Sequence, residues 1–178
     1  AIAIGASAGQ GNQGTGSIAI GYNAGNMAQA GGIAIGQQAG KYEQFVDAIA
    51  IGSLAGATRQ GTGSVAIGLQ AGRTAQAQYS IAIGTSAGYD SQATGAIAIG
   101  YQAGQSGQSK QAIAIGLEAG MSGQGKNSLA IGPQAGGTNQ GEQAIAIGAS
   151  AGVNEQGIGS IAIGSLAGAT GQGTDSIA

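Results

Sequence analysis

No cysteine and no histidine occur anywhere in the chain. Their absence removes disulfides, thiolate metal sites and every Ser–His or Cys–His nucleophile pair. It leaves the compartment open, because cysteine-free chains are found on both sides of a membrane. Tryptophan is missing too, phenylalanine occurs once, and the 42% of hydrophobic residues are mostly Ala and Ile. An ordinary core of large side chains is therefore not available. One proline among 39 glycines excludes collagen, which needs abundant proline and glycine at every third residue. Charge is scarce as well: 7% of residues, with a net charge of −2 and no basic tract, give no electrostatic case for nucleic acid. No signal peptide, transmembrane span or starting Met is visible. The 178 residues open and stop inside their own repeat, so they are expected to be one segment of a longer array.

The repeat is the whole sequence. Ile-Ala-Ile-Gly units, with Val or Leu sometimes first, start at Ile2, Ile18, Ile33, Ile49, Val65, Ile81, Ile97, Ile113, Leu129, Ile145 and Ile161, followed by a stub at Ile177. The spacing is 16 residues except in the 15-residue unit 18–32, giving eleven units over a single array, residues 1–178. With columns numbered from the first residue of each unit, column 2 is always Ala, column 4 always Gly, and columns 7 and 8 always Ala-Gly. Two columns suggest stacked ladders. Column 3 holds Ile4, Ile20, Ile35, Ile51, Ile67, Ile83, Ile99, Ile115, Ile131, Ile147 and Ile163. Column 12 holds Gln13, Gln29, Gln44, Gln60, Gln76, Gln92, Gln108, Gln124, Gln140, Gln156 and Gln172.

A helix is excluded, since each of several interior glycines per unit would cost about 1 kcal/mol and the apolar residues alternate with period two. Sixteen residues hold two short strands and two turns, one coil of an all-β, parallel β-solenoid or β-roll. Coils stacked at about 4.8 Å would make a rod of roughly 50 Å. Gly in columns 4 and 8 is expected where the chain turns with positive φ. The short unit loses its residue after Gln29, in a loop, and so should leave the strands aligned. Ala in columns 2 and 7 suits a flattened interior, which sends the Ile of columns 1 and 3 outward. So long an apolar stripe is unlike a soluble monomer's surface; either the coil is wider with Ile inside, or identical chains bury their stripes against one another. The Gln column is expected to form an amide ladder, bonding to its copies or to backbone in the next coil.

Units reading "SVAIG" (Ser64–Gly68) and "SIAIG" (Ser17–Gly21, Ser80–Gly84, Ser160–Gly164) resemble the head repeats of trimeric autotransporter adhesins, the YadA-like family. "AIAIGYQAG" (Ala96–Gly104) is similar to repeats in fibre proteins of large DNA viruses and phages. The resemblance implies a left-handed β-roll, three chains side by side, and a place on a cell or virion surface. The adhesin heads use a shorter unit, without the Ala-Gly and Gln columns.

Chemistry is sparse. Glu43, Asp47, Asp90, Glu118, Glu142, Glu155 and Asp175 fall in variable columns, mostly on different coils, so a paired-carboxylate or metal site is not expected. The Ca²⁺-binding pattern GGxGxD is absent. "GQGNQG" (Gly9–Gly14) lacks the following Lys and helix of a phosphate loop and reads as turns. No catalytic, cofactor or metal residue is assigned, and no enzyme activity is expected. Ranks of Thr (Thr15, Thr58, Thr62, Thr74, Thr94, Thr138, Thr170, Thr174) raise ice binding as an alternative, but they share their columns with Met27, Tyr42, Lys110, Lys126, Glu142 and Ile158. Tyr22, Tyr42, Tyr79, Tyr89 and Tyr101, with Leu54, Leu69, Leu117 and Leu166, stand in variable columns and suit contact with a host surface or a neighbouring fibre. Lys41, Arg59, Arg73, Lys110 and Lys126 read as solvated charges that discourage aggregation. The sequence therefore points to a structural or adhesive surface fibre whose main partner is itself. A self-assembling extracellular filament is the second reading.

Overall fold

The computed structural model describes residues 1–178 as a parallel β-solenoid with no helix. Its first sheet has eleven strands, each the Ile-Ala-Ile trio or its Val or Leu variant, from Ile2–Ile4 to Ile161–Ile163. Every strand pairs in parallel with its own copy one coil away, as Ile81, Ala82 and Ile83 do with Ile97, Ala98 and Ile99. The 15-residue unit keeps this register, Ile18 facing Ile33 and Ile20 facing Ile35. The missing residue is absorbed at Gly31-Gly32, where Gly32 lies against the next coil: a Cβ there would come within 2.7 Å of the Ala48 carbonyl oxygen.

The second sheet is built from columns 10 to 12. Five strands run from Met27–Gln29 to Asp90–Gln92, and a further pair is Thr138–Gln140 with Asn154–Gln156. Between them the pairing thins to single bridges, Asp90 to Ser106, Ser106 to Ser122 and Ser122 to Thr138. There column 11 is Gly107 or Gly123, with no side chain to pack.

Alternation along the first strand sends column 2 inward. Nineteen fully buried alanines of columns 2 and 7 form one continuous core, and nothing larger than a methyl fits. Column 16 also faces inward. Ser17, Ser64, Ser80, Ser128 and Ser160 are buried there, as are Ala48, Ala96, Ala112 and Ala144. The buried hydroxyls close the turn behind them: Ser64 Oγ donates to the Gly61 carbonyl and Ser160 Oγ to that of Gly157, each at 2.7 Å. Where Ala replaces Ser, no polar group needs a partner.

The turns use more left-handed backbone than the glycines announce. Column 6 has φ between 53° and 62° in every coil, occupied by Ser7, Asn23, Leu54, Glu118 and others. Columns 11 and 15 do the same at Arg59, Glu155, Asp47 and Tyr79. Such a conformation costs a non-glycine residue on the order of 1 kcal/mol. The stacked coils hold it through hydrogen bonds from these amides to the coil before, as from Tyr79 N to Thr62 O at 2.9 Å.

Candidate functional surface

The interior width decides which way Ile points. A Cβ added to Gly104 (column 8) would lie 3.1 Å from the Ala98 Cβ (column 2), so the space behind the first sheet holds only a methyl group. Columns 1 and 3 therefore stand on the outside of the coil. Each Ile packs along the rod against its copies yet keeps an uncovered edge, with Ile83 36% and Ile115 37% exposed in mid-array. Eleven coils at about 4.8 Å by a strip roughly 10 Å wide give an apolar face on the order of 500 Å², at the upper end for a soluble monomer. Tyr22, Leu69, Tyr101 and Leu117, one residue past the column 4 glycines, are exposed and widen the apolar surface.

The buried glutamines sit between the two sheets. Gln92 is 1% exposed. Its Nε2 donates to the Ile81 carbonyl at 2.7 Å, to the Ala96 carbonyl at 3.2 Å and to Gln108 Oε1 of the next coil at 3.1 Å. Two N–H groups are thus shared among three oxygens. The backbone acceptors lie in the glutamine's own coil, not the next one as the sequence suggested, because the side chain spans the coil from the second sheet to the end of the first. Gln76 to Gln172 form an unbroken run of such amide-to-amide bonds. Toward the N-terminus there is one isolated bond, Gln44 to Gln60. The Oε1 atoms of Gln13, Gln29, Gln44 and Gln76 are buried without a partner. Gln29 Oε1 lacks a donor because Gln13 Nε2 donates to the Gly25 carbonyl at 2.8 Å instead, and Gln44 Oε1 because the short coil's Gly32 carbonyl takes the Gln29 amide at 2.6 Å. Nothing in the structure explains the gap between Gln60 and Gln76.

The invariant glycines answer to two different constraints. At column 4, φ lies between 122° and 134°, and a Cβ on Gly100 would fall 2.4 Å from the carbonyl oxygen of Gly116. Backbone stacks on backbone there, and neither can move. At column 8 the φ of Gly104 is 52°, which other residues tolerate at column 6, but a Cβ would meet Gln108 Oε1 at 2.7 Å. Column 8 is glycine because the column 12 glutamine and, behind it, the column 2 alanine leave no room for a Cβ.

The variable side chains are brought together sparingly. Lys41 lies 4.8 Å from the centre of the Tyr42 ring, and Arg73 covers the Tyr89 ring at 5.4 Å while donating to its hydroxyl. The threonines divide between two ranks. In column 10, Thr58 pairs with Thr74 and Thr74 with Asp90, with Tyr42 and Met27 beyond Thr58. Column 14 mixes Thr62 and Thr94 with Lys110, Lys126 and Glu142. Glu43 lies on the second sheet and Asp47 in the following turn. No three metal-ligating side chains come together, and no helix is long and apolar enough to cross a membrane.

Two segments, residues 13–24 and 46–71, match the YadA head domain repeat. The chain thus carries YadA-like head repeats within its longer units. No curated protein and no solved structure matches the chain.

Proposed function

We propose that the chain is a stiff stretch of an adhesin-like fibre exposed on a cell surface, in which three copies lie side by side with their Ile faces buried against one another. The observation that carries this reading is the unbroken outward Ile ladder, an apolar face that runs the whole length of the array. The match to YadA head repeats supports it, since heads of that family are extracellular and trimeric. The rod's work is mechanical: it holds variable residues at regular intervals along a backbone that carries 121 internal hydrogen bonds. That regular stacking would also resist proteases, which need locally unfolded chain.

The double substitution Ile99→Asp with Ile115→Asp separates assembly from folding. Both side chains point away from the coil, so the β-type circular dichroism should persist while the oligomer falls apart. An oligomer of unchanged mass and melting temperature would contradict the reading.

A further inference from the structure

Column 13 is Gly, Ala or Ser in ten coils and Phe45 in one. The Phe45 ring, 48% exposed, stands on a floor of small residues and divides it into two open clefts. The larger, about 520 Å³, is lined from four successive coils. Its floor is Gly61 and Ala77; Thr62, Gln78 and Thr94, one from each successive coil, border it in column 14, Arg59 lines it from column 11, and Phe45 closes one end. No acidic residue lines it. Glu43, one coil before Arg59 in the same column, belongs to the second cleft of about 480 Å³. Arg73 is held by Tyr89, whereas Arg59 makes no side-chain hydrogen bond within the fold.

From this arrangement we infer that the cleft between Phe45 and Thr94 binds an anionic saccharide, a sugar bearing a carboxylate or sulfate. The exposed phenyl face suits the C–H face of a pyranose ring, and aromatic anchors of this sort dominate small recognition sites. Three hydrogen-bonding side chains in a row along the rod match a chain of hydroxyls. A free guanidinium pairs an oxyanion with two parallel N–H bonds, and the lack of a competing carboxylate in the cleft fixes the sign of the charge it selects. An open cleft of this volume lies within the range of small-ligand sites. The cleft lies on the second sheet, across the coil from the Ile face, so side-by-side assembly leaves it open. The inference adds a ligand class to the surface-fibre reading without depending on assembly, because every lining residue comes from one chain.

The test is titration calorimetry of the intact chain with a glucuronate-containing tetrasaccharide, beside the same tetrasaccharide with its carboxylates reduced to alcohols, and sodium sulfate alone. The expected result is saturable binding of the acidic sugar that weakens in high salt, and at least about tenfold weaker binding of the neutral analogue, as loss of a charged hydrogen bond entails. Sulfate alone should bind weakly or not at all. Phe45→Ala gives the column 13 position the residue that Ala30 already is in the preceding coil, so the fold should be unaffected while affinity drops at least about tenfold. Arg59→Gln should abolish the preference for the acidic sugar. The mass of each sample, taken alongside, tells a failure of binding from a failure of assembly. No saturable binding, equal affinity for the neutral sugar, sulfate binding as tightly as the sugar, or an unchanged affinity in Phe45→Ala would each overturn the assignment.

Discussion

Gln108 and Gln124 are joined amide to amide, Nε2 to Oε1 at 3.1 Å, while the same Gln108 nitrogen reaches the carbonyls of Ile97 at 2.7 Å and Ala112 at 3.1 Å. One side chain thus ties the two sheets of its coil together and binds that coil to the next. Only a primary amide of this length does so. Asn is a methylene short, and a carboxylate would turn acceptor oxygens toward two carbonyl oxygens.

Gln108→Glu is accordingly expected to destabilise the array by at least about 3 kcal/mol at neutral pH, since it buries an unpaired charge facing two carbonyls and leaves Gln124 Oε1 without its donor. The sign with pH follows. The buried Glu has a raised pKa, so its charge penalty is full only above that raised value, shrinks as the solution is acidified through it and the carboxyl becomes a donor, and is gone below about pH 4.3, the value for Glu in an unfolded chain. Thermal melts at pH 7 and pH 4 by circular dichroism check both parts; a melting temperature equal to the parent's at pH 7 would show that the amide is not needed.

Columns 8 and 12 should be coupled. Gly104→Ala forces a methyl against the Gln108 amide and should cost several kcal/mol, whereas in a Gln108→Ala background the left-handed backbone cost of about 1 kcal/mol and the 3.1 Å approach to the Ala98 Cβ remain, so the rescue is partial. Gly100→Ala has no such rescue, because its obstacle is the Gly116 backbone. Denaturant titrations of the single and double variants give the coupling energy directly; additive costs at Gly104 and Gln108 would disprove the pairing.

Tyr79 carries a bulky side chain at φ 58° and is 64% exposed, at a column where Asn127 and several glycines stand in other coils. Tyr79→Asn should therefore stabilise the protein by about 1 kcal/mol, because Asn tolerates left-handed backbone better than Tyr. A loss of stability in the melt would mean that the ring's packing outweighs the strain.

The unpartnered oxygens of Gln29, Gln44 and Gln76 place the weak part of the rod in its coils before Gln92. Each buried orphan costs about 1–3 kcal/mol. Amide hydrogen exchange followed by mass spectrometry should find coils before Gln76 exchanging roughly tenfold faster than those between Gln92 and Gln156. Uniform protection would contradict this gradient.

The sequence made the architecture readable because stacking repeats every constraint eleven times. The methyl-only interior is written as Ala19, Ala34, Ala50 and their copies, but alternation alone left the side of the Ile stripe open, and the narrow space between Gly104 and Ala98 decides it. The alignment of the short coil could be read from where its residue is lost, beside Gly31-Gly32. Other features left no such trace. Columns 6, 11 and 15 turn with positive φ, yet hold Leu54, Arg59 and Tyr79, because hydrogen bonds between coils impose the conformation without requiring glycine. Ser64 and Ser160 are buried, but small polar residues in a turn look solvent-facing until the turn closes on itself. The cleft beside Phe45 needs residues from four coils, and its parts are unremarkable one at a time.

The most direct test of the central claim, that the outward Ile ladder is covered by copies of the same chain, is the mass in solution by light scattering over a wide range of concentration. The account predicts a stable species of three chains that persists on dilution. A monomer of 16.7 kDa at every concentration would contradict it.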